Sequence, residues 1–482
     1  MVIPSDIPSL RDLVLGLARR VEVLEAENRA LRLENEALRR ENAALRQENQ
    51  ELKARLGKNS GNSGKPPSSD GLAKKPAFPR PRGGRPGGKP GHQGGTLEQV
   101  AAPDRVEPCR VDRCSCGHAM RGHEHELVER RQVFDLPEPR LEVTEYRLYQ
   151  STCGRCGRRH RGAFPQGVAA PAQYGSGVRA LCVMLNNGYK IPLRRIRDLF
   201  GDLFGHPLNE STAVSANALC HGLLAGSEEA VRGLVAAAPA AHADETGMRV
   251  RGRLHWLHAA STAEATYLFA HPKRGREAMW GPDSVLPLLR GWLVHDCWKG
   301  YFDFASCRHA LCGAHLLREL RALGEQGSRW APAFGRFLLA LLRMPRQDRL
   351  RHREAIEALH DRLCARADGL EPPPERRGGR GRRKSTPGRN LLARLVRHKD
   401  AVLAFAFHHE VPFTNNLVER DVRPAKLKQK VSGSFRTLRG AQVYARIQGF
   451  ISTARKQGRN IFRELKNTFD GHNFLSVKCE MT

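Results

Sequence analysis

The chain has 482 residues and a formal net charge of +30 at pH 7, with 40% hydrophobic residues, enough for a sizeable core. The length suits about three domains, and the cation excess indicates a polyanion partner, most often nucleic acid, because neutralised phosphates release counterions. The sequence has no long apolar run and no signal-peptide pattern near its start, which argues against membrane spans and secretion. We therefore expect a cytoplasmic, nucleoid-associated protein without a membrane partner.

A leucine repeat predicts a coiled coil over residues 10–56. Leucine recurs every seventh residue at Leu17, Leu24, Leu31, Leu38, Leu45 and Leu52. Asparagine follows four positions later at Asn28, Asn35, Asn42 and Asn49. Leucine at d with asparagine at a favours two parallel strands in fixed register, so the repeat predicts a homodimer. A single long solvated helix is the alternative interpretation.

Residues 57–98 form a predicted linker, rich in Gly, Ser, Pro and Lys and without apolar periodicity. Its segment 80–89 (RPRGGRPGGK) is basic and extended. Such an arm can follow a phosphate backbone or enter an AT-rich minor groove, or it can be a spacer that self-repulsion keeps extended. We favour a disordered spacer that also binds DNA without sequence preference.

Residues 99–165 predict a small zinc-binding module. Twelve cysteines in a long intracellular chain indicate metal ligands or buried thiols rather than disulfides. Two cysteine pairs flank a β-rich stretch at residues 141–151, and this spacing suits a tetrahedral structural zinc ion. The predicted ligands are Cys114, Cys116, Cys153 and Cys156. Because the first pair is unusually tight, Cys109 or His118 is an alternative for one ligand, and free buried thiols remain an alternative for the whole group.

Residues 166–235 read as helices with one apolar face. Two short helices joined near Gly205 have the outline of a helix-turn-helix motif, which would place a helix against DNA. An ordinary helical bundle fits the same pattern. The region is therefore predicted to be helical and DNA-binding, with its topology open.

The next region, residues 236–456, predicts a mixed α/β sheet. Short strands are predicted at residues 242–250, which alternate, at 253–262 and 266–270, and at 292–296, which reads as a buried strand. A helical pattern covers residues 276–289 and is interrupted at Pro282 and Pro287. Asp244 falls on the first strand and Asp296 ends the fourth. Since neighbouring strands lie less than about 5 Å apart, both carboxylates can share metal ions. Alternatively, Asp296 is a buried structural acid, or Glu245 replaces Asp244 as the functional acid.

A third acid comes from residues 414–430 (TNNLVERDVRPAKLKQK). Its first three residues are good N-caps, which predicts a helix starting just before Leu417. Arg423 and Lys426 follow Glu419 by one and two turns and share its face, while Pro424 predicts a kink or an end. The segment is either a surface helix with an ion pair or a metal-binding glutamate with phosphate-binding cations. Carboxylate ligands favour Mg²⁺, and two such ions suit phosphodiester chemistry.

Five motifs of this chain resemble the insertion sequence 66 family of DDE transposases. They are residues 242–246 (HADET), 294–301 (VHDCWKGY), 312–320 (CGAHLLREL), 415–426 (NNLVERDVRPAK) and 431–441 (VSGSFRTLRGA). The resemblance extends to the leucine repeat, the linker and the cysteine module. It implies a ribonuclease-H-like core in which Asp244, Asp296 and Glu419 form the acidic triad. It also implies that cations after Glu419 grip DNA phosphates; the predicted DNA-binding residues are Arg420, Arg423, Lys426, Lys430 and Arg436.

The long stretch between the second and third acids predicts a helical insertion at about residues 306–410. Helical patterns cover residues 311–323, 334–342 and 355–364, and a basic disordered loop is predicted over residues 371–389. His309, Cys312 and His315 have the spacing of metal ligands. We favour a structural helix there, with His315 and Arg318 near the active site. A basic amphipathic helix is predicted over residues 443–458, and residues 457–482 form a C-terminal tail.

Together these features predict a multidomain α/β protein with a coiled coil, a zinc module and a ribonuclease-H-like core. Its predicted function is to bind the ends of an insertion sequence and to catalyse Mg²⁺-dependent cleavage and strand transfer, with Mn²⁺ as a substitute. The predicted partners are terminal-repeat DNA, target DNA, a second copy of the chain and accessory proteins of the element. The alternative is a non-catalytic dimeric DNA-binding regulator or an end-bridging protein.

Overall fold

A computed structural model describes residues 7–59, 62, 97–122, 126–373 and 385–475. The basic arm predicted at residues 80–89 and the centre of the basic loop predicted at residues 371–389 lie outside the described residues. The described residues form a mixed α/β protein in two compact units. One unit holds the N-terminal helix and most of the chain from His221 onward, and the other holds the described residues between 97 and 220 with a short segment, residues 465–471. No helix in the described part of the chain is both long enough and apolar enough to span a bilayer.

The N-terminal helix, α1, spans Ile7–Leu56 without a break. The leucines of its seven-residue repeat are all exposed, between 45% for Leu17 and 56% for Leu31. The Asn35 and Asn42 side chains each donate a 3.1 Å hydrogen bond to the carbonyl one turn earlier. The single helix agrees with the predicted periodicity, and the coiled-coil dimer stays a prediction.

The second unit combines a small hairpin with helices. Its strands β1 (Gln150–Thr152) and β2 (Arg159–Arg161) are antiparallel. The helices are α2 (Ser176–Val183), which continues into a π-helical turn at Met184–Gly188, α3 (Leu193–Phe204) and α4 (Glu210–Leu223). The strand predicted over residues 141–151 is thus much shorter than expected. Gly205, in the left-handed conformation at φ 63°, ends α3 where the sequence predicts the helix junction.

A five-stranded mixed sheet forms the centre of the first unit. Its strands are β3 (Ala240–Val250), β4 (Arg253–Ser261), β5 (Thr266–His271), β6 (Trp292–His295) and β7 (Arg308–Leu311). The order across the sheet is β5-β4-β3-β6-β7. Strand β3 is antiparallel to β4 and parallel to β6, and β7 is parallel to β6. Strand β7 was missed because its four residues give no periodic signal.

The elements before and between these strands are short. Helix α5 (Ala225–Ala236) precedes the sheet, and α6 (Arg276–Met279) follows β5. One-turn 3-10 helices occupy Leu286–Leu288 and Lys299–Asp303. Only the first four residues of the helical pattern over 276–289 form α6, which agrees with the interruption predicted at Pro282, since a proline removes a donor that the next turn would need.

Six helices follow β7 and build a separate hydrophobic core. They are α7 (Gly313–Glu325), α8 (Ala331–Arg343), α9 (Arg346–Arg351), α10 (Arg353–Leu370), α11 (Pro387–Arg397) and α12 (Lys399–Phe407). Phe334, Leu338 and Leu391 lie in this core, which also takes in Trp292 and Val294 of β6. The insertion is helical as predicted, apart from β7 at its start. Residues 387–389 belong to α11 rather than to the predicted disordered loop.

The last three helices are α13 (Asn416–Ser432), α14 (Leu438–Lys456) and α15 (Ile461–Phe469). Helix α13 packs on β3 and β4 through Val418, Val422 and Ala425, which share one face at helical spacing. Pro424 lies inside α13 without ending it, so the helix end predicted there is wrong, and the kink stays a prediction. A proline removes only the hydrogen bond to the carbonyl four residues earlier. Here that carbonyl belongs to Arg420, which is exposed. The buried side chains meanwhile hold the helix on the sheet.

Candidate active site

The strand register brings Asp244 and Asp296 to the same edge of the sheet. In the parallel pairing of β3 with β6, His242 lies opposite Val294. Each acid follows its paired residue by two positions, so both lie just beyond the paired part of two neighbouring strands. Adjacent strands are separated by about 4.8 Å. The predicted proximity of these two acids therefore follows directly from the sheet.

The pKa of Asp244 reports how closely the acids are grouped. It is raised well above its ordinary value, first by burial and then by the charges of Glu245, Asp296 and Glu419. Like charges that share a partly buried space disfavour ionisation. The three predicted acids therefore repel one another in the protein alone, and a bound cation would relieve that repulsion.

The backbone after β6 fixes the direction of Asp296. Its Oδ1 accepts a 2.9 Å hydrogen bond from the backbone N–H of Trp298. Cys297, between them, has a φ of 76°. This left-handed conformation is strained for a residue with a Cβ, and such strain concentrates at functional sites. The tight turn holds the carboxylate at the end of the strand.

Helix α13 supplies Glu419, whose side chain is 16% exposed. Its Oε1 lies 3.6 Å from His315 Nδ1 and 3.6 Å from Arg318 Nη2. Within the described residues, these three atoms and Arg318 Nε are buried without a hydrogen-bond partner. Buried polar atoms without partners are rare and energetically unfavourable, so a group of four indicates a space for a further ligand. The neighbours of Glu419 are thus residues of α7, whereas the expected Arg423 and Lys426 are exposed.

Asn415 joins the elements that carry the site. Its side chain is buried, and its Nδ2 donates to the carbonyl of Ala243 at 2.8 Å, while its Oδ1 lies 2.8 Å from His242 Nδ1. Its backbone N–H donates to Cys312 Sγ at 3.1 Å. One residue therefore links β3 just before the first acid, the start of α7, and α13 just before the third acid. Sequence analysis assigned it only as a helix cap, a bond that its side chain does not make.

Close packing at Gly313 brings α7 and α13 together. The N–H of Gly313 donates to the carbonyl of Phe413 at 2.8 Å. A Cβ on Gly313 would overlap the Phe413 ring, so a larger residue would require the ring or the two segments to move. The approach places His315, two residues later, beside Glu419.

Glu245, the alternative functional acid, has both carboxylate oxygens occupied. Arg274 Nε donates to its Oε1 at 2.6 Å, and the Tyr301 hydroxyl donates to its Oε2. The Arg274 guanidinium in turn stacks over Trp298 at 4.4 Å and Trp256 at 5.0 Å. This arrangement favours a structural role for Glu245 and leaves Asp244 as the available acid.

The predicted DNA-binding cations lie on the surface. Arg420, Arg423, Lys426, Lys430 and Arg436 are all exposed. Lys426 Nζ donates to the carbonyl of Gly247 on β3. These positions leave the five side chains accessible to a large polyanion.

The structure adds a β-hairpin to this basic surface. Arg251 donates from its backbone to the Phe435 carbonyl at 2.9 Å and from Nε to the Arg436 carbonyl at 3.0 Å. Its neighbours Arg249 and Arg253 are also exposed. Sequence reasoning missed these three arginines because no local motif marks them, although their spacing around a Gly turn was a usable signal.

The cysteines of the predicted zinc module lie in two pairs that do not form one cluster of ligands. The pKa of the Cys114 thiol is lowered, first by a hydrogen bond from the Cys116 backbone, and that of Cys153 likewise by the Cys156 backbone. Among the described residues, no three of the module's cysteines and histidines lie within 4.8 Å of one another. A group at that distance is formed instead by Cys312, His315 and Glu419. The four-cysteine zinc site stays a prediction.

Comparison with known families supports the same assignment. The family model described as Transposase IS66 family matches residues 171–443, which contain all of β3, β6 and α13. A family of unknown function, DUF6444, matches residues 16–98. The comparison with curated proteins gives no match. Since the first match covers more than half of the chain, the resemblance seen in the motifs is confirmed, and the chain belongs to the IS66 family of transposases.

Proposed function

We propose that this transposase binds the ends of an insertion sequence and catalyses DNA cleavage and strand transfer at Asp244, Asp296 and Glu419. The observation that supports it best is the pairing of β3 with β6, in which Asp244 and Asp296 each follow a paired residue by two positions. The raised pKa of Asp244, to which the charges of Asp296 and Glu419 contribute after burial, agrees with a shared site for acids from β3, from the end of β6 and from α13. The mixed sheet with flanking helices is consistent with the proposed ribonuclease-H-like core.

The chemistry of these side chains fits divalent metal ions. Carboxylate oxygens are the ligands that Mg²⁺ prefers, and Mn²⁺ accepts the same set. The buried Oε1 of Glu419, which has no hydrogen-bond partner among the described residues, and the repulsion between carboxylates at Asp244 both suit a bound cation. When bound, two such ions supply Lewis-acid activation of a water or 3′-hydroxyl and charge stabilisation at the leaving oxygen.

The protein's own contribution is orientation. The backbone of Glu245 donates to Asp244 Oδ1 at 2.9 Å, and the turn at Cys297 fixes Asp296. Asn415 holds the start of α13 against β3. Preorganised groups of this kind lower a barrier because they need no rearrangement during the reaction.

The remaining parts of the proposal concern DNA and assembly. The exposed cations of α13 and of the β3–β4 hairpin would contact phosphates, which makes binding strongly salt-dependent. The exposed leucines of α1 support a coiled-coil dimer that brings two element ends together. We retain the zinc module at the four cysteines, terminal-repeat and target DNA as substrates, and accessory proteins as partners within this proposal.

The test is strand cleavage of element-end DNA in Mg²⁺ or Mn²⁺, with the element's other products present. We expect Glu419→Gln to lose at least about a thousandfold in cleavage rate while binding DNA as before, since the exchange keeps the shape and removes the charge. The matched control is Glu277→Gln on α6, an exposed position, which should cleave normally.

Two outcomes would contradict the proposal. Equal cleavage by the wild type and by Glu419→Gln would remove Glu419 from the catalytic set. Tight end binding without cleavage by any variant would instead favour the non-catalytic regulator.

A further inference from the structure

Three potential metal ligands converge beside the acidic triad. The ligand atoms of Cys312, His315 and Glu419 all lie within 4.8 Å of one another. Cys312, 1% exposed, immediately precedes α7, and His315 lies in the first turn of that helix. The third residue of the sequence pattern, His309, is not part of the group, because its Nδ1 lies 3.3 Å from His295 and its Nε2 donates to the Phe304 carbonyl. Glu419 takes its place from α13.

We propose that Cys312, His315 and Glu419 form a second metal site, which takes a thiophilic divalent ion of the zinc class. A thiolate is a soft ligand that zinc and cobalt accept and that Mg²⁺ does not favour. The separation of 3.6 Å between His315 Nδ1 and Glu419 Oε1 is near the ~3.3 Å expected between two ligands of a tetrahedral ion with bonds of about 2.0 Å. The site therefore differs from the all-carboxylate site in the class of ion it selects.

The hydrogen bonding of the group independently favours a bound ion. His315 Nδ1 and Glu419 Oε1 are buried, and neither has a hydrogen-bond partner among the described residues. Both are atoms that coordinate metals, and a shared ion would satisfy both. Cys312 Sγ already accepts the backbone N–H of Asn415 at 3.1 Å, an outer-shell bond of the kind that orients metal ligands.

Arg318 opposes the site and provides a way to test it. Its Nη2 lies 3.6 Å from the same Glu419 oxygen, so its charge competes with a cation there. Replacing Arg318 with Gln removes the competing charge and should raise the affinity for the ion. The opposite result would be expected if Arg318 stabilised the group only as a structural partner.

Sharing Glu419 has a functional consequence, which rests on the proposed function. A carboxylate bound between Cys312 and His315 is withheld from Asp244 and Asp296. We therefore expect Zn²⁺ to inhibit Mg²⁺-dependent cleavage at micromolar concentrations close to that of the protein. The Cys312→Ser variant should resist that inhibition.

The decisive experiment measures Co²⁺ binding to the chelator-treated full-length protein without DNA. Co²⁺ bound to a thiolate gives a charge-transfer absorption band, and the difference between variants isolates the part due to Cys312 from that of the other cysteines. We expect Cys312→Ser to lose the intensity of one thiolate, and His315→Gln to weaken binding at this site by more than about tenfold, since even outer-shell changes cost that much. Cys307→Ser, a buried cysteine outside the group, is the matched control and should keep the full band.

A Co²⁺ spectrum that Cys312→Ser and His315→Gln both leave unchanged would overturn the inference. Circular dichroism establishes whether each variant is folded. If Cys312→Ser does not fold, the Co²⁺ spectrum of His315→Gln, which retains the thiol, tests the site instead. The readout does not involve cleavage. Loss of cleavage in Glu419→Gln without a cobalt site at Cys312 would therefore leave the proposed function intact and remove only this site.

Discussion

Two acids of α13 lie two residues apart and have opposite surroundings. The side chains of Glu419 and Asp421 are similarly buried, at 16% and 11% exposed. Asp421 accepts hydrogen bonds from Ser261, Thr266, Ser452 and Lys456, at 2.7–3.0 Å. Glu419 Oε1, by contrast, has no hydrogen-bond partner within the described residues, and its charged neighbours His315 and Arg318 lie 3.6 Å away. Burial alone does not distinguish the two acids, whereas the number of their partners does.

The same contrast holds on β3. Glu245 is saturated by Arg274 and Tyr301, while its neighbour Asp244 meets mainly other carboxylates. A saturated buried acid stabilises the fold, because its partners would otherwise be unsatisfied. An unsatisfied one is maintained at a cost in stability, which is expected where a ligand completes the site. Two of the three proposed catalytic acids, Asp244 and Glu419, thus each have a fully hydrogen-bonded acid one or two positions away in the sequence.

The first prediction tests this contrast through stability. Asp421→Ala should lower the free energy of unfolding by about 3–5 kcal/mol, because it leaves the ammonium of Lys456 buried without its counter-charge. Glu419→Gln should change it by less than about 1 kcal/mol, because the Glu419 carboxylate lies 3.6 Å from Arg318 without a hydrogen bond between them. Urea unfolding of both variants in the absence of metal measures the difference.

The control for that comparison is the double variant Asp421→Leu with Lys456→Met. Replacing a buried ion pair by apolar residues of similar volume is often close to neutral, so the double variant should recover much of the loss. Equal destabilisation by Asp421→Ala and Glu419→Gln would show that the number of partners does not separate structural from functional acids here.

Local patterns of the sequence account for the elements that carry the acids. Alternation predicted strands at β3, β4, β5 and β6, and helical spacing with good N-caps predicted α13, so the positions of Asp244, Asp296 and Glu419 were available from the chain. The family motifs then supplied the grouping. Strand β7 escaped detection because four residues are too few for a period.

Contacts between distant segments could not be predicted. The proximity of His315 and Arg318 to Glu419 depends on how α7 meets α13, and that depends on the space that Gly313 leaves for the Phe413 ring. Spacing alone grouped His309 with Cys312 and His315, although the fold replaces it with Glu419. Tertiary packing determines these contacts, and a local stretch of sequence carries no information about it.

The second prediction concerns Asn415, which links the functional acids to their supports. Asn415→Ala removes its two side-chain hydrogen bonds and leaves the Ala243 carbonyl without that donor, so we expect a loss of about 2–3 kcal/mol in unfolding free energy. Asn416→Ala, at the exposed neighbouring position, should change it by less than about 0.5 kcal/mol. Equal effects of the two variants, measured by urea unfolding, would show that the buried bonds of Asn415 are not what holds α13 to β3.

The third prediction extends the contrast to His258, a buried side chain that has a hydrogen-bond partner in its neutral form. His258 is 6% exposed, stacks on Phe269 with ring centroids 4.8 Å apart, and donates from Nε2 to the Lys273 carbonyl at 3.1 Å. Burial lowers the pKa of His258 to about 4. Because the unfolded chain binds this proton near pH 6.5, stability is full above that pH and falls as the pH drops towards 4.

At pH 5 this titration should cost about 1–2 kcal/mol of unfolding free energy relative to pH 8. Urea unfolding at both pH values measures it, and the informative quantity is the pH dependence rather than the absolute stability. His258→Gln, which cannot titrate, should lose less stability on acidification than the wild type by that amount. His352→Gln, at an exposed position, should follow the wild type. If His258→Gln loses as much stability on acidification as the wild type, burial does not disfavour the charged form of His258. Packing around β4 would then tolerate a charge without a partner as readily as the acidic site does.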